Sequence, residues 1–167
     1  MGRRYDTISF LSDYGLVDEF VGVVKGVLRD RAPHATVIDI THEVPAHDVR
    51  AGSLTLARAV QYLPSGVVLA IVDPGVGTDR RGIAIEVAGG EGVLIGPDNG
   101  LLAPAAQMAG GAERAVVVTN AELHIPAPGA TFAGRDVFAP VAAHLCNGGE
   151  LTDLGDLVDP DGLMPGV

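Results

Sequence analysis

With 167 residues, 47% of them hydrophobic and 19% charged, the chain is sized for one domain and is too apolar for an extended disordered polymer. A net charge of -10 excludes a protein that coats nucleic acid, which needs clustered Lys and Arg, and disfavours binding to an anionic membrane. Aromatics at 4%, with no Trp, leave Val, Leu, Ile and Ala to build the core; a small ligand in a local cationic site stays open.

The segment after Arg3 and Arg4 contains Asp6 and Asp13, so it lacks the apolar stretch of a secretion signal and reads as a first strand, Thr7 to Leu11. No apolar run is long enough to cross a bilayer, and a soluble cytoplasmic protein is expected. The strand ends at Ser12-Asp13-Tyr14-Gly15. From Asp18, residues Phe20, Val21, Val24, Val27 and Leu28 recur at helical spacing, with Asp18 and Glu19 suited to the first turn and Pro33 as the stop. Gly22 and Gly26 are expected to let this helix pack closely on a sheet. Thr36 to Ile40 is a second strand, and a longer helix spans about Asp48 to Tyr62, stopped by Pro64.

Gly66 to Val72 carries no charge, as a strand in the middle of a parallel sheet requires. It runs into Asp73-Pro74-Gly75-Val76-Gly77-Thr78. Gly82 to Val87 and Gly92 to Ile95 pair as a hairpin around Gly89-Gly90. Pro97-Asp98-Asn99-Gly100 turns the chain into a short Ala-rich helix, Arg114 to Val118 is a further strand, and a last helix covers Arg135 to Leu145. The alternation predicts a layered α/β/α fold around a central, mainly parallel sheet, with residues 1–150 as the domain and 151–167 as an acidic connector or tail. Cys146, the only cysteine, reads as a small core residue. His34, His42, His47, His124 and His144 show no i, i+4 pair, so no metal is expected.

In open parallel sheets, ligands bind beyond the carboxyl ends of the strands. Ser12-Asp13, Asp73 with its glycine loop, Pro97-Asp98-Asn99 and Thr131-Phe132-Ala133-Gly134-Arg135-Asp136 fall at or near such ends. Each alone reads more readily as a turn or helix cap; their convergence on one edge would make a site. Gly75 and Gly77 let backbone approach a ligand, although the loop is neither a Walker loop nor a dinucleotide fingerprint. Arg80 is placed so that its side chain could meet Asp73, an arrangement worth little if it is only a surface pair.

Taken in order along nearly the whole chain, the motifs Ser12-Asp13-Tyr14-Gly15, Phe20-Val21-Gly22 with Lys25-Gly26, Asp39-Ile40-Thr41-His42, Asp73 to Thr78, Gly96 to Gly100 and Thr131 to Asp136 resemble the S-adenosyl-L-methionine (SAM) hydroxide adenosyltransferases. These SAM hydrolases are related to the adenosyl-fluoride and adenosyl-chloride synthases. The resemblance implies substitution by water at the 5′ carbon of SAM, giving adenosine and L-methionine, with SAM as substrate and no cofactor. It implies that Asp73 and Arg80 are the first two members of an Asp-Arg-His set that holds the water. The halogenases have Tyr at the position of Asp73, which places the chain on the hydrolase side. Asp13 matches the acceptor of the ribose hydroxyls, and His47 sits where the halogenases have an aromatic residue near the substrate. Val76, Gly77, Thr78, Thr131, Phe132, Ala133 and Gly134 complete the expected substrate contacts. The resemblance also implies a homotrimer and a C-terminal β-barrel domain, to which nothing in these 167 residues corresponds.

The motif departs from the family at Ala133, where His is the rule. Alanine neither holds water nor moves a proton, and loss of a general acid/base group costs on the order of 10²–10⁴ in rate. Impaired turnover is therefore expected unless His47 or His124 substitutes. Two other readings stay open: an adenosine- or SAM-binding module without catalysis, and a metal-dependent phosphoryl or nucleoside hydrolase with Asp13, Asp73 and Asp98 around a divalent cation.

Overall fold

A computed structural model of the chain describes residues 4–75, 79–127 and 132–166. Seven strands form one sheet in the order β2-β1-β3-β5-β4-β6-β7. They are β1 (Thr7–Ser12), β2 (Thr36–Thr41), β3 (Gly66–Ile71), β4 (Gly82–Val87), β5 (Gly92–Pro97), β6 (Arg114–Val117) and β7 (Leu157–Val158). The β2-β1-β3-β5 half is parallel, and the pairs β5-β4, β4-β6 and β6-β7 are antiparallel. Five of the seven strands (β2, β1, β3, β5 and β6) thus run in one direction. The expected β4-β5 hairpin is present, turned through Ala88, Gly89 and Gly90 at positive φ.

Helices cover both faces, which makes the arrangement α/β/α. Strand alternation assigns the faces: Val67, Leu69 and Ile71 of β3 join one apolar cluster, while Val68, Ala70 and Val72 join the other. The first cluster is closed by α1 (Phe20–Arg31) and α4 (Ala139–Cys146), the second by α2 (Val49–Val60) and α3 (Ala103–Met108). Every residue of β3 is buried, as a charge-free strand in the middle of the sheet must be. Cys146 is fully buried at the end of α4.

The glycines of α1 are a correction. A Cβ at Gly22 or Gly26 would meet nothing within 4 Å; both positions face solvent, and the helix packs through Val21, Val24 and Leu28 instead. The close helix-sheet approach is at Gly52 of α2, where a Cβ would lie 3.0 Å from Leu101 and 3.1 Å from Val72. Residues 151–158 contribute buried Leu151 and Leu154 and the strand β7. None of the described helices is long and apolar enough to cross a membrane.

Candidate active site

The parallel strands β1 and β3 are neighbours and end side by side, so the residues that follow them, Asp13 and Asp73, arrive together. Both line a cavity of about 390 Å³ with Tyr14, Phe20, His47 and Phe132. Ala133 and Gly134 also face it. That volume lies in the range of small-molecule sites.

Asp73 and Arg80 meet. Arg80 Nε donates to Asp73 Oδ1 at 3.0 Å and its Nη2 to Oδ2 at 2.5 Å. The two parallel bonds fix the carboxylate plane, and the Asp73 side chain is only 2% exposed against 20% for Arg80. The guanidinium also lies 5.5 Å from the Phe138 ring centroid. This pair is therefore no loose surface contact. Asp13 is anchored differently: its Oδ2 accepts from the His47 backbone N–H at 2.7 Å. His47 adopts φ 64°, a left-handed conformation that costs a non-glycine residue energy and recurs at functional sites. The turn that enforces it is closed by Asp48 N–H on Pro45 O at 2.9 Å, and the Asp48 side chain then caps α2.

Tyr14, Phe20 and Phe132 form an aromatic wall, with ring centroids 5.8, 5.5 and 5.0 Å apart. Phe132 carries the Arg135 guanidinium 5.5 Å from its centroid. Burial, then the carboxylates of Asp13 and Asp73, push the Tyr14 phenol well above its ordinary value. Tyr14 therefore keeps its phenolic proton. Its hydroxyl lies over Gly134, where any Cβ would collide with it. Gly134 opens a π turn, Gly134–Phe138, in which Ala139 N–H donates to Gly134 O. In that turn Asp136 is buried and held by Arg135 at 2.6 and 2.8 Å.

Of the expected site residues, Asp13, His47, Asp73, Phe132, Ala133 and Gly134 line the one cavity, with Arg80 paired to Asp73. Val76, Gly77, Thr78 and Thr131 lie outside the described residues. Asp98 does not join them. It accepts from Arg81 at 2.8 Å and from the Met164 backbone at 2.8 Å, fastening the 159–166 segment instead. The three-carboxylate cation site is therefore not assembled, and the described residues contain no group of three or more His, Cys, Asp or Glu able to hold a metal. His124 lies outside the cavity lining; its Nε2 is buried with no partner among the described residues. Burial holds that imidazole below its usual value, against a backbone hydrogen bond with Val118. Phe20 and Asp18 also line the cavity. Helical spacing reads Phe20 as a core position and Asp18 as a first-turn acid, and only the meeting of α1 with Phe132 reveals their second use.

The fold and cavity define an α/β/α domain with a cavity of small-molecule size at the carboxyl ends of adjacent parallel strands. The sequence profile described as the SAM hydroxide adenosyltransferase N-terminal domain matches residues 8–155, and the chain belongs to that family. It is 54% identical over 157 residues to "(R)-S-adenosyl-L-methionine hydrolase" of Salinispora tropica, covering 94% of this chain and 59% of that one. It is 46% identical over 168 residues to the protein of the same name in Thermus thermophilus, covering 96% and 61%. The crystal structure of an uncharacterized conserved protein from Thermotoga maritima superposes with a TM-score of 0.84 at 42% identity, over 91% of this chain and 58% of that one. The chain spans about three fifths of the length of these relatives.

Proposed function

We propose that this domain carries the water-activating and nucleoside-binding half of a SAM hydrolase. The reading rests on one observation: a buried carboxylate, Asp73, clamped by Arg80 at the wall of a cavity that also presents Asp13. Asp13 keeps its Oδ1 for the ribose hydroxyls while Oδ2 is tied to His47. The aromatic wall offers flat surfaces to a purine. Water held by Asp73 attacks the 5′ carbon, the carbon–sulfur bond breaks, and its electron pair leaves on sulfur as the neutral thioether of methionine. The proton lost by the water passes to Asp73 and then to solvent, while Arg80 stabilises the hydroxide-like charge. A sulfonium is a good leaving group, so aiming and desolvating the water is most of the task. The acid at position 73 favours hydrolysis over halogenation. Ala133 leaves the set without its histidine, so turnover by this chain is slow, and a non-catalytic nucleoside-binding module is the second reading that this residue favours.

The reaction needs no metal or cofactor, the protein acts in the cytoplasm, and the assembled form is a homotrimer; each is part of the same proposal. Incubation with SAM at varied chloride, followed by mass identification of products, tests it. Adenosine and methionine are expected, unaffected by chelator or chloride, reduced by Asp73→Asn and increased by Ala133→His. Calorimetric binding of adenosine without any product assigns the second reading. Absence of both product in Ala133→His and adenosine binding overturns the assignment.

A further inference from the structure

A second buried polar assembly lies behind the cavity, and the reaction above does not use it. Ser12 Oγ and His42 Nδ1 are 2.7 Å apart, His42 Nε2 is 2.7 Å from Asp39 Oδ1, and Lys25 Nζ donates to Asp39 Oδ2 at 2.8 Å. Ser12 and His42 are 0% and 3% exposed, whereas Lys25 and Asp39 reach the surface. The order Ser-His-Asp is that of a nucleophilic triad, but a hydroxyl with no exposed area meets no substrate.

Chemistry gives the assembly a direction. A carboxylate only accepts, so His42 Nε2 carries a proton. In the tautomer that carries its proton on Nε2, Nδ1 accepts from the Ser12 hydroxyl. This leaves the lone pairs of Ser12 Oγ to accept the Tyr14 N–H, 3.3 Å away, in a hydroxyl-closed turn centred on Asp13. The backbone carbonyl of His42 accepts from Gly15 N–H at 2.7 Å. Ring and carbonyl of one residue therefore grip the chain on both sides of Asp13. Phe10 packs edge-on against the ring at 4.6 Å and fixes its tilt. Burial raises the Asp39 carboxyl, but hydrogen bonds from His42 and Lys25 outweigh it and hold the group below the usual carboxylate range, so it stays an acceptor.

We infer that His42 is a positioning residue for the Asp13 carboxylate, acting through the Ser12 hydroxyl; the role rests on the nucleoside reading of the cavity. Two substitutions separate its ring nitrogens. His42→Asn places an amide oxygen near Nδ1, which keeps an acceptor for Ser12 and drops Asp39. His42→Gln places an amide nitrogen near Nε2, which keeps Asp39 and drops Ser12. Three quantities are read: adenosine affinity by calorimetry, hydrogen exchange of the His47 amide that bonds Asp13 Oδ2, and Tm. His42→Gln is expected to weaken adenosine binding about tenfold, the scale on which outer partners tune a binding group. It should also speed His47 exchange several-fold, at a Tm close to that of His42→Asn. The Asn variant recovers most of both losses. Ser12→Ala, which removes the hydroxyl alone, should match His42→Gln and serves if the latter does not fold. Equal effects of Asn and Gln, or changes that only follow Tm, overturn the role. If the unmodified protein binds no adenosine and Ala133→His forms no product, the nucleoside reading falls, while His47 exchange still decides whether His42 sets Asp13.

Discussion

Replacing Arg80 by Met isolates the Asp73 clamp. Methionine keeps most of the aliphatic stem, and removes the guanidinium that lies over Phe138 and donates to Asp73 at 3.0 and 2.5 Å. At an effective dielectric of about 20, opposite charges about 4 Å apart attract by about 4 kcal/mol. Breaking a buried pair from one side costs about 3–5 kcal/mol, because the remaining charge keeps its desolvation penalty. The Asp73 side chain is 2% exposed but that of Arg80 is 20%; water reaches the outer partner, so the lower end, about 3 kcal/mol, applies. In a chain of this size that lowers Tm by about 6–12 °C. Asp73→Asn alone should cost less, since an amide can still accept from Arg80. The double variant should be more stable than the sum of the single losses predicts, by about 2 kcal/mol of coupling. Circular-dichroism melts of the four proteins at one pH measure this. Additive losses would show that the fork contributes no pairwise energy, and the argument for a preset carboxylate would fail with it.

Gly134→Ala puts a methyl group against the Tyr14 hydroxyl, 3.1 Å from Ile71 and 3.2 Å from Phe132; a loss of about 1–3 kcal/mol by urea denaturation and weaker adenosine binding by calorimetry are expected. His47→Gly relieves the φ of 64° and removes the imidazole from the cavity, so thermal stability should hold or rise by about 1 kcal/mol while adenosine affinity falls. Burial, with a smaller contribution from Asp6, pushes the Cys146 thiol up to about 12. Iodoacetamide at pH 8 should therefore modify the unfolded chain and spare the native one. Because folding favours the protonated thiol, its stabilisation is complete below the ordinary thiol value of about 8.5 and is lost as pH rises toward 12. Cys146→Ala should flatten that alkaline limb in denaturation midpoints against pH.

Elements whose residues report their own surroundings were legible in the chain. Gly66 to Val72 has no charge because both its faces are covered, and Asp48 sits where a helix needs an oxygen for its first amides, accepting from Ala51 N–H. The meeting of Asp73 with Arg80 was legible because the loop between them is short. Positions whose meaning depends on distant partners were not. Asp98 carries the same turn signature as Asp13, and only the path of residues 159–166 turns it away from the cavity. Gly22 and Gly26 have the spacing of a packed stripe, yet the register of α1 points them to solvent. His42 sits in a motif that marks the family, but its bond to Ser12 joins residues 30 apart through the β1-β2 pairing and no local pattern announces it.

The π turn at Gly134–Phe138 holds one residue more than an α-helical turn would. Each residue of a regular helix advances the direction of its side chain by about 100°. Deleting a single residue there would rewind the turn to α geometry and swing Phe132 and Ala133 roughly a quarter circle about the axis of α4, off the cavity wall. The length of this segment is therefore under tighter constraint than its composition.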